Sequence, residues 1–428
     1  MRRHAAIPVY FVIRIASALV LLKLSAQFLT VRAFADFTQF LAFASLLNMA
    51  VVGGAQNGLI RQAAAATDAE LADVHGAGLA LWAAAVPLLG IPVALFSRQV
   101  SDVLTGSAAH WQVVIALAAL SLAAGPGQVC WSVLSGRQRV SQSLGVQAFG
   151  VVTGTVAAAW FILRSNAVGA ALAFAAGPLV ATLAALPFAA QLPLRWRPTA
   201  RGLLPLLGYS AAIASTLGFS ALTLFALRWL YRAEFGATQL GYWLAANRIS
   251  DMSTQFLGLF MLQAFVPQLA TTRDSLERSR LIARYGLLGA ALTGLGLLAM
   301  SVAGRPLVHL FLSAAYVPAI PSILLYMLGD FARVWVSLAM FTAFAAARPR
   351  RYAAMEISTM SVMAVLALLL MARHAVLAPQ IGYVTAFALT ALVLGTNALR
   401  RSGLPLRGSW RPRGERRTRL PNSVARLP

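Results

Sequence analysis

The sequence predicts an all-α polytopic membrane protein of about twelve transmembrane helices, built as two parallel six-helix lobes around a central cavity. Three observations predict it. Hydrophobic residues make up 59% of the chain and charged residues only 11%, against about 25% charged in soluble domains, and the mean hydropathy is +0.74. Apolar runs long enough for a bilayer core of about 30 Å recur from end to end. The runs also repeat: a shift of 206 residues lays the segment 36–60 on 242–266 and 76–97 on 282–303.

Taken in order, the expected spans are 9–32, 36–60, 76–97, 111–134, 143–163, 167–190, 207–230, 240–268, 283–304, 319–345, 353–372 and 378–398. The start, MRRHAAIPVYFVIRIASALVLLKL, has the basic-then-apolar pattern of a signal peptide. Lys23 interrupts that run, no small-x-small cleavage site follows it, and many spans come after, so it is read as the first span. The lobes are expected at 1–190 and 207–398, joined by a basic cytoplasmic linker at 191–206 and followed by a disordered basic cytoplasmic tail at 399–428. The tail is rich in Arg, Pro and Gly and reads as a topology anchor that touches anionic lipid.

Basic residues set the orientation. With both termini cytoplasmic, about 24 of the 35 Lys and Arg fall on the inside. They include Arg2, Arg3, Arg137, Arg139, the Arg195/Arg197/Arg201 cluster, Arg273 to Arg284 and the RPRR at 348–351. This asymmetry accounts for the net charge of +23 without nucleic acid as a partner. The repeat extends to the loops. AAATDAELADVHGAGLALWAAA aligns with ATTRDSLERSRLIARYGLLGAA, with Asp68 on Asp274. An even number of spans per unit keeps both copies in the same orientation, as in transporters whose lobes flank a central cavity.

Enzymatic chemistry finds no support in the motifs. Cys130 is the single cysteine, the five histidines are scattered, and there is no Walker loop, GxGxxG or HExxH. No catalytic residue, metal or cofactor is expected. A proton or other ion gradient is the candidate driving force.

Intramembrane charges are the candidate site, because each costs ~2.5–3.5 kcal/mol at a helix centre and usually faces a bundle interior or wet cavity. The basic ones are Arg14, Lys23, Arg248 and Arg333; the acidic ones are Asp36, Asp251, Asp330 and Glu356. Arg248 and Asp251 are three apart, as are Asp330 and Arg333, so each pair shares a helix face. Such pairs either fix lobe packing or present an arginine to the cavity. Arg14 and Lys23 are nine apart, which places them on opposite sides of one helix. Arg14 is close enough to the membrane edge to snorkel, whereas Lys23 reads as mid-helix with no local carboxylate. Asp36 and Glu356 read mainly as interfacial. In-span prolines (Pro87, Pro92, Pro126, Pro178, Pro187, Pro267) and the GPG at 125–127 predict kinks. Gly150 and Gly154 predict a close helix-packing face.

The stretches GYWLAANRISDMSTQFLGLFMLQAFVPQLATTRD (241–274), LLYMLGDFARVWVSLAMFTAFAAARPRRYAAMEIS (324–358), QNGLIRQAAAATD (56–68) and RIASALVLLKLSAQFL (14–29) resemble the Wzx-type polysaccharide flippases of bacterial inner membranes. The likeness is to the O-antigen and enterobacterial common antigen lipid III flippases, in the superfamily that includes the multidrug and toxin extrusion transporters. In that pattern the acidic residue after Ile-Ser matches Asp251, Gly-Asp matches Gly329-Asp330, Asn-Gly matches Asn57-Gly58, the helix 1 cations match Arg14 and Lys23, and Glu356 matches an acid early in helix 11. Arg248 departs from it, standing where a small or polar residue is expected.

The resemblance implies a transporter that flips an undecaprenyl-pyrophosphate-linked oligosaccharide between leaflets. Lys23, Arg14, Arg248 and Arg333 would meet the anionic headgroup, and Asp251, Asp330, Glu356 and Asn57 would act as structural or gating partners. It implies as partners the lipid-linked glycan, membrane lipids, and a polysaccharide polymerase with its chain-length machinery. Three alternatives stand beside it, one of them a scaffold-like translocase relative that assists assembly without transport. A cation-coupled drug exporter of the same fold is disfavoured by the basic character of the first half's deep charges. An integral-membrane glycosyltransferase or polymerase is disfavoured by the shortness of the periplasmic loops.

Overall fold

In the computed structural model, residues 2–52, 55–195, 198–261, 265, 268–269, 272, 274–345 and 349–402 are described. They form only helices and their connections; no strand occurs among them. The first half comprises α1 (Arg2–Phe28), α2 (Val31–Ala50), α3 (Gln56–Ala65), α4 (Asp68–Leu95), α5 (Ser97–Thr105), α6 (Trp111–Ala123), α7 (Gly125–Gly136), α8 (Val140–Ile162) and α9 (Ala167–Ala189). The second comprises α10 (Ala200–Phe260), α11 (Ser275–Phe311), α12 (Ile320–Ala345), α13 (Pro349–Met371) and α14 (Ala378–Ser402).

Side-chain caps define where the helices begin. Thr30 accepts from the Ala33 N–H at the start of α2, at 3.2 Å. Thr67 and Glu70 form a reciprocal capping box at the start of α4. Asp274 accepts from the Leu276 and Glu277 N–H groups at the start of α11. Thr67 and Asp274 thus open corresponding helices of the repeat. At the GPG the helix breaks, with Ala124 between α6 and α7 and Pro126 in the first turn of α7. Gly150 and Gly154 do mark a tight contact: a Cβ on Gly150 would lie 2.5 Å from the Gly177 carbonyl oxygen of α9.

Nine helical segments among the described residues are long and apolar enough to cross a membrane. The other three expected spans fall on α2 with α3 and on the two arms of α10. Those arms meet at Gly236, whose φ of 82° and ψ of 171° interrupt the helix. Glycine occupies this left-handed position without a Cβ penalty. The arms run antiparallel, since Arg228 meets Asn247 and the rings of Tyr231 and Trp243 lie 4.9 Å apart. The nine-residue external loop that the hydropathy pattern implied at 231–239 is therefore helix up to a single turning residue.

The ends of the bundle differ. The far end holds the α1–α2 turn, Gly236 and the last turn of α11. The terminal end holds the α3–α4 and α7–α8 connections, where Arg137 pairs with Asp68. At the far end both halves contribute to one hydrophobic core that includes Leu22, Phe34 and Phe40 together with Tyr231, Trp243 and Tyr316. Towards the terminal end the cores separate. One contains Leu59, Leu71, Val129 and Leu134 of the first half; the other contains Leu257, Met261, Tyr285 and Leu338 of the second. The first of these cores also takes Leu206, at the start of α10. The connection into α10 is strapped to α4: the Arg195 N–H donates to the Ala72 carbonyl, and the Asp73 carboxylate accepts from the Thr199 N–H at 2.6 Å and from its hydroxyl. The tail expected as disordered at 399–428 instead begins as the end of α14, which runs to Ser402; the rest of it, Pro267 and the side chain of Asn57 lie outside the described residues.

Candidate functional site at the junction of the halves

Polar side chains concentrate where the shared core gives way to the separate ones. On the far side of this apex the halves are tied together. Arg232 of α10 donates to the Asp36 carboxylate of α2 at 2.7 Å and to the Leu104 carbonyl at 3.2 Å. Lys23 donates to the His309 and Leu312 carbonyls at 2.7 and 2.9 Å. The Ser313 hydroxyl donates to the Ala26 carbonyl at 2.7 Å, and the Phe34 and Tyr316 rings meet edge to face at 5.3 Å.

At the apex itself, Arg228 is 7% exposed. Its Nη1 donates to Gln39 Oε1 of α2 and its Nη2 to Asn247 Oδ1, both at 3.3 Å. Its Nε and Gln39 Nε2 are buried without a partner. Arg248 and Asp251 lie one turn further along, and the charges of both act on Arg228.

A second group lies deeper in the second half. Asp330 accepts from the Ser250 hydroxyl at 2.8 Å, the Ser253 hydroxyl at 3.1 Å and the Tyr383 hydroxyl at 2.7 Å. Tyr383 in turn accepts from Arg333 at 3.1 Å, and the Arg333 guanidinium stacks over Phe387 at 5.3 Å. Glu356 acts on Arg333 through its charge and accepts from Ser220 at 3.5 Å. Ser253 and Asp330 also line a cavity of about 160 Å³ with Leu257, Leu292, Thr293, Gly296 and Met327.

Several expectations change. Lys23 is not mid-helix, because α1 stops at Phe28 and Thr30 caps the next helix; its partners are backbone carbonyls of the other half. Neither i,i+3 pair closes into a direct ion pair among the described residues. Asp330 turns to serines of α10 and to Tyr383, which stands between it and Arg333, while Arg248 and Asp251 interact only at longer range. Asp36 binds Arg232 between the halves. Arg14 is exposed and makes no polar contact among the described residues.

Arg228, Arg232, Gln39 and Tyr383 were not singled out by the sequence. Arg228 falls inside the expected span 207–230, where its charge was itself a signal, whereas its i,i+4 spacing with Arg232 on one helix face was hidden because the hydropathy pattern ended that span at 230.

No protein-family model and no curated protein matches the chain. Solved structures do. The fold is similar to "Lipid II flippase MurJ, inward closed conformation", with a TM-score of 0.72 at 9% identity over 93% of this chain and 87% of that one. It is also similar to an inward-facing multidrug resistance MATE family transporter of the MOP superfamily, with a TM-score of 0.67 at 13% identity over 92% and 96%. A MOP superfamily transporter from Pyrococcus furiosus, described as having reversed binding-pocket polarity, gives 0.56 at 13% identity over 94% and 93%. The chain is thus a multi-pass membrane protein with the fold of MOP transporters and flippases.

Proposed function

We propose that the protein is a flippase carrying an undecaprenyl-pyrophosphate-linked oligosaccharide from the cytoplasmic to the periplasmic leaflet of a bacterial inner membrane. Both termini are cytoplasmic in this reading, and the protein moves its cargo without altering it. The observation that carries the proposal is the charge at the apex. Where one shared core divides into two, Arg228 and Arg248 face a single nearby carboxylate, Asp251. A cleft that narrows to a net positive apex suits a diphosphate headgroup, which is costly to move through hydrocarbon, while the prenyl tail stays in lipid. Guanidinium groups bind phosphate through a fork of donors.

The separation of the cores at the terminal end supports an inward-facing state. The chain also aligns better with the inward-facing MATE structure than with the outward-facing one, with TM-scores of 0.67 and 0.57. The partners proposed with this cargo are a polysaccharide polymerase and its chain-length machinery. Export of cationic drugs is the second reading, favoured by the likeness to MATE transporters. It would require an uncompensated carboxylate in the cleft, whereas Asp36 is bound by Arg232 and Asp251 is outnumbered.

Deletion of the gene followed by extraction of lipids tests the proposal. The expected result is accumulation of a polyprenyl-diphosphate oligosaccharide with loss of the corresponding surface glycan. Unchanged lipid-linked pools together with new sensitivity to cationic drugs would overturn it in favour of export.

A further inference from the structure

Among the cations at the junction of the halves, Arg228 is buried and hydrogen-bonded but poorly compensated. Arg232 has a carboxylate at 2.7 Å, Lys23 has two helix-terminal carbonyls, and Arg333 has the Tyr383–Asp330 relay. Arg228 has no ion pair among the described residues: its hydrogen bonds go to two amide oxygens at 3.3 Å, both neutral and both at the long limit of a hydrogen bond, and it shares the longer-range charge of Asp251 with Arg248. Its Nε is buried with no acceptor. Leaving a buried guanidinium this poorly matched is costly, so the arrangement calls for a role other than stability.

The two acceptors belong to different halves. Gln39 is on α2 and Asn247 on α10. Gln39 itself keeps a buried, unpartnered Nε2, so the contact satisfies neither side chain fully. When the halves part at the far end, Gln39 leaves with α2 and Arg228 stays with Asn247. The guanidinium then has two free donor edges at the apex of the cleft.

We propose that Arg228 is the diphosphate-binding residue at the apex, with Gln39 as the placeholder that the anion displaces. This rests on the flippase reading above and adds which residue recognises the headgroup and how recognition is linked to opening. The phosphate oxygens replace the Gln39 oxygen and supply an acceptor for Nε. Ligand binding therefore lowers the cost of separating α2 from α10. An uncharged lipid cannot make this exchange and leaves the junction closed.

The test uses the purified full chain in nanodiscs with two probes, undecaprenyl pyrophosphate and uncharged undecaprenol. Wild-type protein is expected to prefer the diphosphate lipid. Arg228→Gln is expected to weaken that binding at least tenfold, about the value of one charge-assisted hydrogen bond, and Arg228→Lys to fall between. Because Arg228→Gln could disturb folding, Asn247→Asp is the decisive variant. It places a carboxylate against the same guanidinium and neutralises it in place. It is expected to lose diphosphate binding at least tenfold without a lower thermal unfolding midpoint. Wild-type-like affinity in both Arg228→Gln and Asn247→Asp would overturn the role of Arg228 and leave the flippase reading standing. Failure of the wild-type protein to prefer the diphosphate lipid over undecaprenol would overturn both.

Discussion

Lys23 illustrates how one side chain can change meaning between sequence and structure. An intramembrane lysine without a nearby carboxylate reads as an anion contact. Its ammonium instead sits on the carbonyls of His309 and Leu312, at the end of α11, where a helix leaves its last acceptors unsatisfied and carries negative partial charge. A cation there is worth up to ~2 kcal/mol, and here it ties one half to the other. Lys23→Gln should therefore raise the fraction of molecules open at the far end roughly tenfold, the equivalent of about 1.4 kcal/mol. A cysteine at Phe34, which is 1% exposed, reports this in a Cys130→Ala background. Its labelling by a maleimide should quicken correspondingly with Lys23→Gln. Labelling at the original rate, with weakened ligand binding, would return Lys23 to the role the sequence suggested.

At the scale of helices, the pair α8–α9 shows how little separates packing from clash. A Cβ on Gly150 would lie 2.5 Å from the Gly177 oxygen, and one on Gly177 would lie 2.6 Å from the Gly150 oxygen. Gly150→Leu should force the helices apart and lower the thermal unfolding midpoint, at a cost of about 1–3 kcal/mol or more. Val152→Leu, on the exposed side of α8 at 42% exposure, should leave the midpoint nearly unchanged. An equal effect of both would show that the glycine contact does not set the helix spacing.

This contact was legible in the sequence because small residues four apart have one main use in membrane helices. The order of helices was legible because lipid-facing surface must be apolar. The hairpin at Gly236 was not. Arg232 makes its segment look like loop, although it is sheltered by protein and paired with Asp36. Hydropathy measures what a residue would cost in lipid, and cannot register a partner such as Asp36 that lies 196 positions from Arg232 in the chain.

For the whole molecule, the distribution of cores specifies what must move. A single core at the far end and two at the terminal end describe a wedge whose closed edge is the Lys23, Arg232 and Phe34–Tyr316 contacts. Alternating access requires that edge to open while the terminal end closes. The contacts of Arg195 and Thr199 with Ala72 and Asp73 of α4 keep the connection between halves fixed to the first half, so separation must be accommodated within α10 and beyond. Locking the far edge should then stop the cycle without harming the fold. Cysteines in place of Phe34 and Tyr316, whose rings lie 5.3 Å apart, can be joined by a short cleavable bis-thiol crosslinker in a Cys130→Ala background. Crosslinked protein in proteoliposomes should translocate no lipid-linked glycan, and cleavage of the linker should restore the rate of the uncrosslinked double variant. Because parting of this edge releases Gln39 from Arg228, the locked protein should bind undecaprenyl pyrophosphate more weakly than the uncrosslinked double variant. Full translocation by the crosslinked protein would mean that the lipid crosses by a route that leaves this edge shut.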